Sequence, residues 1–157
     1  MIEKRQFYIN GTWVDPMDGH DHQVINPSTE EACATISLGG QADTDAAVAA
    51  AKAALPAWMA TPLEDRIALV EKLLNLYNAR ASDMAEVISM EMGAPIDMAA
   101  GQQTPAGSWH LKNFIRAAKG FEFDLPLSDR TPNDRIIYEA VGVTALITPW
   151  NLSLIHI

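Results

Sequence analysis

The chain has 157 residues, 48% of them apolar and 20% charged, with a formal net charge of −9. That length and balance suit a globular chain with a core, and the acidic excess argues against a nucleic-acid footprint or an anionic membrane surface as partner. A single cysteine excludes an internal disulfide, no stretch approaches the ~20 apolar residues of a membrane span, and the opening Met1-Ile2-Glu3-Lys4-Arg5 lacks the apolar core of a signal peptide, so a cytoplasmic location is expected.

Residues 6–14 alternate around Asn10-Gly11, the strongest short hairpin signal, with Phe7, Ile9 and Trp13 as packing residues. A polar turn over 15–22 leads to a short strand at 23–25, which Asn26-Pro27-Ser28 breaks. Residues 32–38 form the next strand, ended by Gly39-Gly40. The first helix is expected over 44–58 with Asp43 as N-cap. Ala47, Ala51, Ala54 and Trp58 share one stripe, and Pro56 puts the last turn in doubt.

Thr61-Pro62-Leu63-Glu64 combines a capping box with proline at the first helical position. The helix that follows repeats apolar residues at 63, 67, 70, 74 and 77, opposite a solvated face of Glu71, Lys72, Asn75 and Asn78. A third helix covers 83–92, with Gly93 as a left-handed cap and Pro95 preventing continuation. Residues 96–119 are helical again, interrupted at Thr104-Pro105. Two strands, 121–127 and 135–141, flank a polar loop at 128–134. The apolar run 141–148 then reads as a strand that delivers Pro149, Trp150 and Asn151 to a turn.

The motif Val143-Thr144-Ala145-Leu146-Ile147-Thr148-Pro149-Trp150-Asn151 resembles the strand-and-turn signature of the aldehyde dehydrogenase superfamily. Tyr8-Ile9-Asn10-Gly11-Thr12-Trp13, Asn26-Pro27-Ser28-Thr29-Glu30 and Met90-Glu91-Met92-Gly93-Ala94-Pro95 occur in the same order and at similar spacings in that family. The resemblance spans residues 5–151 and implies an α/β fold. Residues 1–120 would belong to the N-terminal part of a Rossmann-type cofactor domain, and 121–140 to the strands of an oligomerisation arm. Residues 141–151 would be the first strand and turn of the parallel cofactor sheet, which is left incomplete.

The same resemblance implies an oxidoreductase that converts an aldehyde to a carboxylic acid with NAD or NADP. A cysteine thiolate attacks the carbonyl, and the adduct carries an oxyanion. Asn151 sits where the family places the amide donor for that oxygen, and Ile147, Thr148, Pro149 and Trp150 resemble its cofactor-lining backbone, beyond the carboxyl end of a parallel strand. The same asparagine could instead satisfy turn backbone, and Trp150 could be a core aromatic. The family's nucleophilic cysteine and general-base glutamate fall after residue 157, so the chain alone is expected to be inactive, as one part of a homo-oligomeric parent. The alternative is a structural or regulatory subunit that joins a full-length homologue through 121–140.

Other candidates have plainer readings. Cys33 lies in an alternating strand and reads as a small buried hydrophobe rather than the nucleophile. His20 and His22 flank Asp21, but nothing local completes a metal site. Met84, Met90, Met92 and Met98 suit a buried helix face better than a soft binding groove. Ala140 stands where the family usually has proline, and Leu152-Ser153-Leu154-Ile155-His156-Ile157 departs from the family's proline-led helix start. That tail resembles a translated sequencing adapter and is expected to be foreign to the fold.

Overall fold

The computed structural model describes residues 1–147. The first sheet contains β1 (Ile2–Lys4), β4 (His20–Asn26) and β5 (Glu31–Leu38) in the order β1-β5-β4. β1 runs parallel to β5 with Ile2 opposite Ala34, and β4 runs antiparallel to it with Val24 opposite Ala34. A register shift between Val24 and Ile25 bends β4. β1 carries no signal in sequence: three residues are too few to show a period, and pairing with β5 makes them a strand.

The Asn10-Gly11 expectation holds. β2 (Phe7–Ile9) and β3 (Thr12–Val14) pair as Phe7–Val14, Tyr8–Trp13 and Ile9–Thr12 around a turn with φ of 51° at Asn10 and 78° at Gly11. Positive φ at both central residues matches the twist of the flanking strands. Trp13 is a correction. It shares its face with Tyr8, the two rings 5.2 Å apart, and is 65% exposed. Phe7, Ile9 and Val14 take the half-buried face instead.

The helical layer begins with α1 (Gln41–Ala60), longer than expected at both ends. Gly40, not Asp43, is its N-cap; Asp43 sits at the third helical position and reaches back to accept from the Gly40 N–H at 3.0 Å. The helix runs through Pro56. Ala47, Ala51, Ala54 and Trp58 face outward rather than inward. α1 meets the described residues chiefly through β2, so its small-residue stripe has no neighbour there.

The helix α2 (Leu63–Ala79) starts one residue later than expected: Pro62 is its N-cap rather than its first helical residue, and there is no capping box. The Thr61 hydroxyl donates to the Ala57 carbonyl at 3.0 Å, serving the end of α1 instead. The predicted stripe 63, 67, 70, 74 and 77 is half-buried throughout. α3 (Ala81–Met92) ends at Gly93, whose φ of 75° is the left-handed cap the sequence indicated. A Cβ on Gly93 would stand 2.8 Å from the Pro27 ring, so the cap also sets how closely α3 approaches the β4–β5 turn.

The expected interruption near Pro105 is a change of helix type. α4 (Ile96–Met98) passes into a π turn at Ala99–Gln103, and then into α5 (Thr104–Lys119). Proline has no N–H to donate to the turn before it, and the wider π turn places Pro105 at the start of α5. α5 packs on α2, while α3 packs on the π turn. Ala85, Ala94 and Ala99 form the core cluster, with Ile88 and Met92 against it. Leu111 and Ile115 add the buried face of α5.

This core is built mostly of alanines. The accessible surface is 11569 Å² for 17.1 kDa, against the ~7,800 Å² expected of a folded monomer of that mass. Leu69, Leu73, Leu76, Trp109 and Phe114 are among the exposed large apolar side chains.

The last described elements are β6 (Asp124–Ser128) and β7 (Thr131–Ile137), a two-stranded antiparallel ribbon. Its loop is a correction: Asp129-Arg130 alone separates the strands, where 128–134 was expected. Polar residues such as Asn133 and Asp134 read as loop in sequence, yet they sit in a ribbon whose strands are largely exposed, so pairing overrides their preference. Residues 141–147 follow without a strand assignment. A strand is defined by its ladder, and no described strand lies beside this segment. The architecture is α/β with incomplete sheets.

Candidate functional site

The site expected from sequence lies at the end of the chain. Thr148, Pro149, Trp150 and Asn151 fall outside the described residues. Ile147 is described and is 92% exposed, beside an equally open Leu146. Gly142 enters this segment at φ 108°, a conformation that suits glycine. Of the four expected cofactor-lining positions only Ile147 is described, and nothing packs around it to make a cradle. The described residues therefore do not by themselves fit a dinucleotide, and no chemical step through one follows from them.

What the described residues do build is the helical wall that precedes this segment. Its best-defined lock joins α2, the π turn and α5. The Tyr77 hydroxyl donates to the Thr104 carbonyl at 2.8 Å. The Tyr77 ring lies over Gly107, where a Cβ would meet its hydroxyl at 2.5 Å. Burial pushes the Tyr77 phenol above its ordinary pKa, so it remains a proton donor at neutral pH. Thr104 itself is 3% exposed, and its hydroxyl has no hydrogen-bond partner among the described residues. Ser89 donates to the Ala94 carbonyl at 2.8 Å and fastens the turn after α3.

Two depressions flank this lock. An apolar groove between α2 and α3 is lined by Leu73, Leu76, Tyr77, Met84 and Val87, with Arg80 and Asp83 at its rim. A second, more polar hollow lies between Asn78, Ala81, Thr104, Ser108, Trp109 and Lys112, crossed by a hydrogen bond from Ser108 to Asn78.

A second lock ties the strand layer to α1. The Asp43 carboxylate accepts from the Met17 N–H at 2.8 Å and the Gly40 N–H at 3.0 Å, and is 5% exposed. Those donors, Met17 first, hold its carboxyl below the usual range; burial opposes the shift, and the Asp18 N–H adds to it. On the outer edge Arg5 bridges Asp21 and Glu3. That pairing raises the guanidinium pKa, and the Arg5 hydrogen bond lowers that of Asp21.

The remaining candidates are placed plainly. Cys33 is half-buried on β5, and its thiol donates to the Val24 carbonyl at 3.3 Å. That is the environment of a structural thiol, as expected. His20 and His22 lie on β4, and no group of three potential metal ligands occurs among the described residues. The methionines divide: Met92 packs on the alanine cluster, Met84 lines the α2–α3 groove, and Met98 is exposed. No described helix is long and apolar enough to cross a membrane. Sequence reasoning missed the Tyr77–Thr104–Gly107 lock; a tyrosine closing an apolar stripe and a glycine inside a helix were its only signals.

The sequence profile of the aldehyde dehydrogenase family matches residues 13–157. A 3-succinoylsemialdehyde-pyridine dehydrogenase from a Pseudomonas species is 36% identical over 155 residues, 98% of this chain but 32% of its own length. The chain thus spans about a third of that relative. Among solved structures, an aldehyde dehydrogenase from Bartonella henselae superposes with a TM-score of 0.81 at 56% identity, over 82% of this chain and 27% of its own. An aldehyde dehydrogenase C variant from Pseudomonas syringae, solved with NAD+ and octanal, gives 0.77 at 35% identity, over 79% and 26%. An apo indole-3-acetaldehyde dehydrogenase gives 0.87 at 28% identity, over 99% and 36%. With the profile covering nearly the whole length and the architecture agreeing, this chain belongs to the aldehyde dehydrogenase family.

Proposed function

We propose that residues 1–157 form the N-terminal part of an NAD(P)-dependent oxidoreductase that oxidises an aldehyde to a carboxylic acid. The observation that carries this reading is the family match over residues 13–157, which includes the Thr148-Pro149-Trp150-Asn151 motif. The solved relative that holds NAD+ and octanal supports the cofactor and the substrate class. A bound nicotinamide would supply the hydride acceptor that such an oxidation requires.

Of this chain's own residues, Asn151 is assigned the amide N–H donor to the oxyanion, and Ile147, Thr148, Pro149 and Trp150 the cofactor-facing backbone. None of this chain's residues is assigned the role of nucleophile or general base. Residues 121–140 form the arm through which copies assemble. Support for that role comes from the ribbon, whose two strands each have only one partner among the described residues.

The test uses the complete reading frame that contains these residues. NAD(P)+-dependent aldehyde oxidation is followed by the absorbance of the reduced nicotinamide. Asn151→Ala should lower kcat by about 10²–10³-fold, the cost of one oxyanion donor, with cofactor Kd unchanged. Wild-type turnover in that variant would remove Asn151 from the mechanism, and absence of any aldehyde oxidation would sink the function. The rival reading, a regulatory subunit joining a full-length homologue through 121–140, rests on the same ribbon. It predicts co-purification with that homologue and no activity of its own.

A further inference from the structure

The ribbon joins the helical layer through a compact aromatic root. Phe121 and Phe123 meet edge to face with centroids 4.7 Å apart, and Phe121 meets Tyr138 in the same way at 5.0 Å. The Tyr138 N–H donates to the Phe123 carbonyl at 2.9 Å, closing the root just outside the β6–β7 ladder. Onto this root α2 projects Arg66, whose guanidinium carbon lies 5.7 Å from the Phe123 ring centroid.

Arg66 has an unusual setting for an arginine. It is half-buried, it makes no salt bridge among the described residues, and its Nε is buried without a hydrogen-bond partner. Arg80 and Arg135, by contrast, do find carboxylates: Arg80 pairs with Asp83, and Arg135 with Asp124. What Arg66 has in their place is an aromatic face. A planar, weakly hydrated guanidinium is better suited to that contact than a strongly hydrated ammonium.

We propose that Arg66 is a positioning residue: by stacking on Phe123 it fixes the angle at which the β6–β7 ribbon leaves the helical layer, and so presets the ribbon edge for pairing with a second copy of this chain. The second half of this inference rests on the assembly role proposed for residues 121–140. A two-stranded ribbon is marginal on its own, so its direction must be held from the root. A ribbon free to pivot would lose that freedom on pairing, and association would weaken accordingly. Leu127 and Ile137, both more than half exposed on the ribbon, are the apolar residues such a pairing would cover.

Two measurements on the complete reading frame test the two halves separately. In a background from which Cys33 (as Cys33→Ser) and every other cysteine of the reading frame have been removed, spin labels at Lys72→Cys on α2 and Asp129→Cys at the ribbon tip report their distance distribution. Arg66→Ala should broaden it, and Arg66→Lys should broaden it less. An unchanged width in Arg66→Ala overturns the proposal, whatever the assembly does. Should Arg66→Ala fail to fold, Arg66→Lys and Phe123→Leu carry the same measurement.

The dissociation constant of self-association is then read by sedimentation over a dilution series. Arg66→Ala and Phe123→Ala should each weaken it by about 2- to 30-fold, the range of a cation–π contact. The double variant should be no worse than either single one. If paired Leu127→Asp and Ile137→Asp weaken assembly while Arg66→Ala does not, the presetting role is refuted and the assembly role survives. If the two aspartates leave the constant unchanged, the assembly role fails and the presetting role falls with it.

Discussion

Gly107→Ala is the sharpest test of how the helical wall is held together. The new methyl would lie 2.5 Å from the Tyr77 hydroxyl and 2.7 Å from the adjoining ring carbon, far inside van der Waals contact. Tyr77 cannot move away freely, because its hydroxyl is fixed to the Thr104 carbonyl at 2.8 Å. Three effects compete. Overpacking costs about 1–3 kcal/mol, and the displaced hydrogen bond about 1 kcal/mol more. Replacing glycine inside a helix returns about 1 kcal/mol. The net is a destabilisation of roughly 1–3 kcal/mol. Amide hydrogen exchange along α5, measured in the complete reading frame, reads it locally: a loss of ~2 kcal/mol accelerates exchange about 30-fold.

The control is Gly101→Ala, in the π turn, where a Cβ meets nothing within 4 Å. It should not accelerate exchange in α5. Combining Gly107→Ala with Tyr77→Ala should recover the steric part of the loss, because the clash partner is gone. Slower or unchanged exchange in Gly107→Ala alone would refute the close approach of α2 and α5.

Other outcomes follow from single contacts. Asp43→Ala should destabilise the junction between α1 and the β3–β4 connection, because the Met17 and Gly40 N–H groups lose their acceptor; exchange at those two amides is the readout. The carboxyl of Asp43 is held below its unfolded value, so its contribution is full above about pH 4 and is lost as the pH falls through the folded pKa. Stability of Asp43→Ala should therefore fall less than that of the wild type on acidification, and parallel pH profiles would contradict the assignment. Gly93→Ala meets both a left-handed φ of 75° and the Pro27 ring at 2.8 Å. It should lower Tm, whereas a neutral result would mean that the cap relaxes without cost. The 157-residue polypeptide by itself, with its alanine core and exposed leucines, should bind a hydrophobic dye and melt without a sharp transition. A cooperative melt of a monomer would show that this core suffices.

The sequence determined the elements whose cause is local. Asn10-Gly11 fixed a hairpin because both residues accept positive φ. The stripe from Leu63 to Tyr77 fixed the inner face of α2, and Gly93 with Pro95 fixed the end of α3. The motif blocks fixed the family, since their order and spacing are properties of the chain alone. What the sequence left open needed partners distant along the chain. β1 exists only because β5 lies beside it. Asp43 caps Gly40 from inside the helix because Met17 anchors the same carboxylate. Thr61 serves the end of α1 because the Ala57 carbonyl is within reach. Trp13 turned outward, and the α1 alanines stayed open, because packing depends on which surface arrives opposite, and period alone does not say. The expected oxyanion and cofactor turn, Thr148 to Asn151, was legible only as a motif. The Tyr77–Gly107 contact and the stacking of Arg66 on Phe123 were invisible in sequence, because tertiary packing alone brings those residues together.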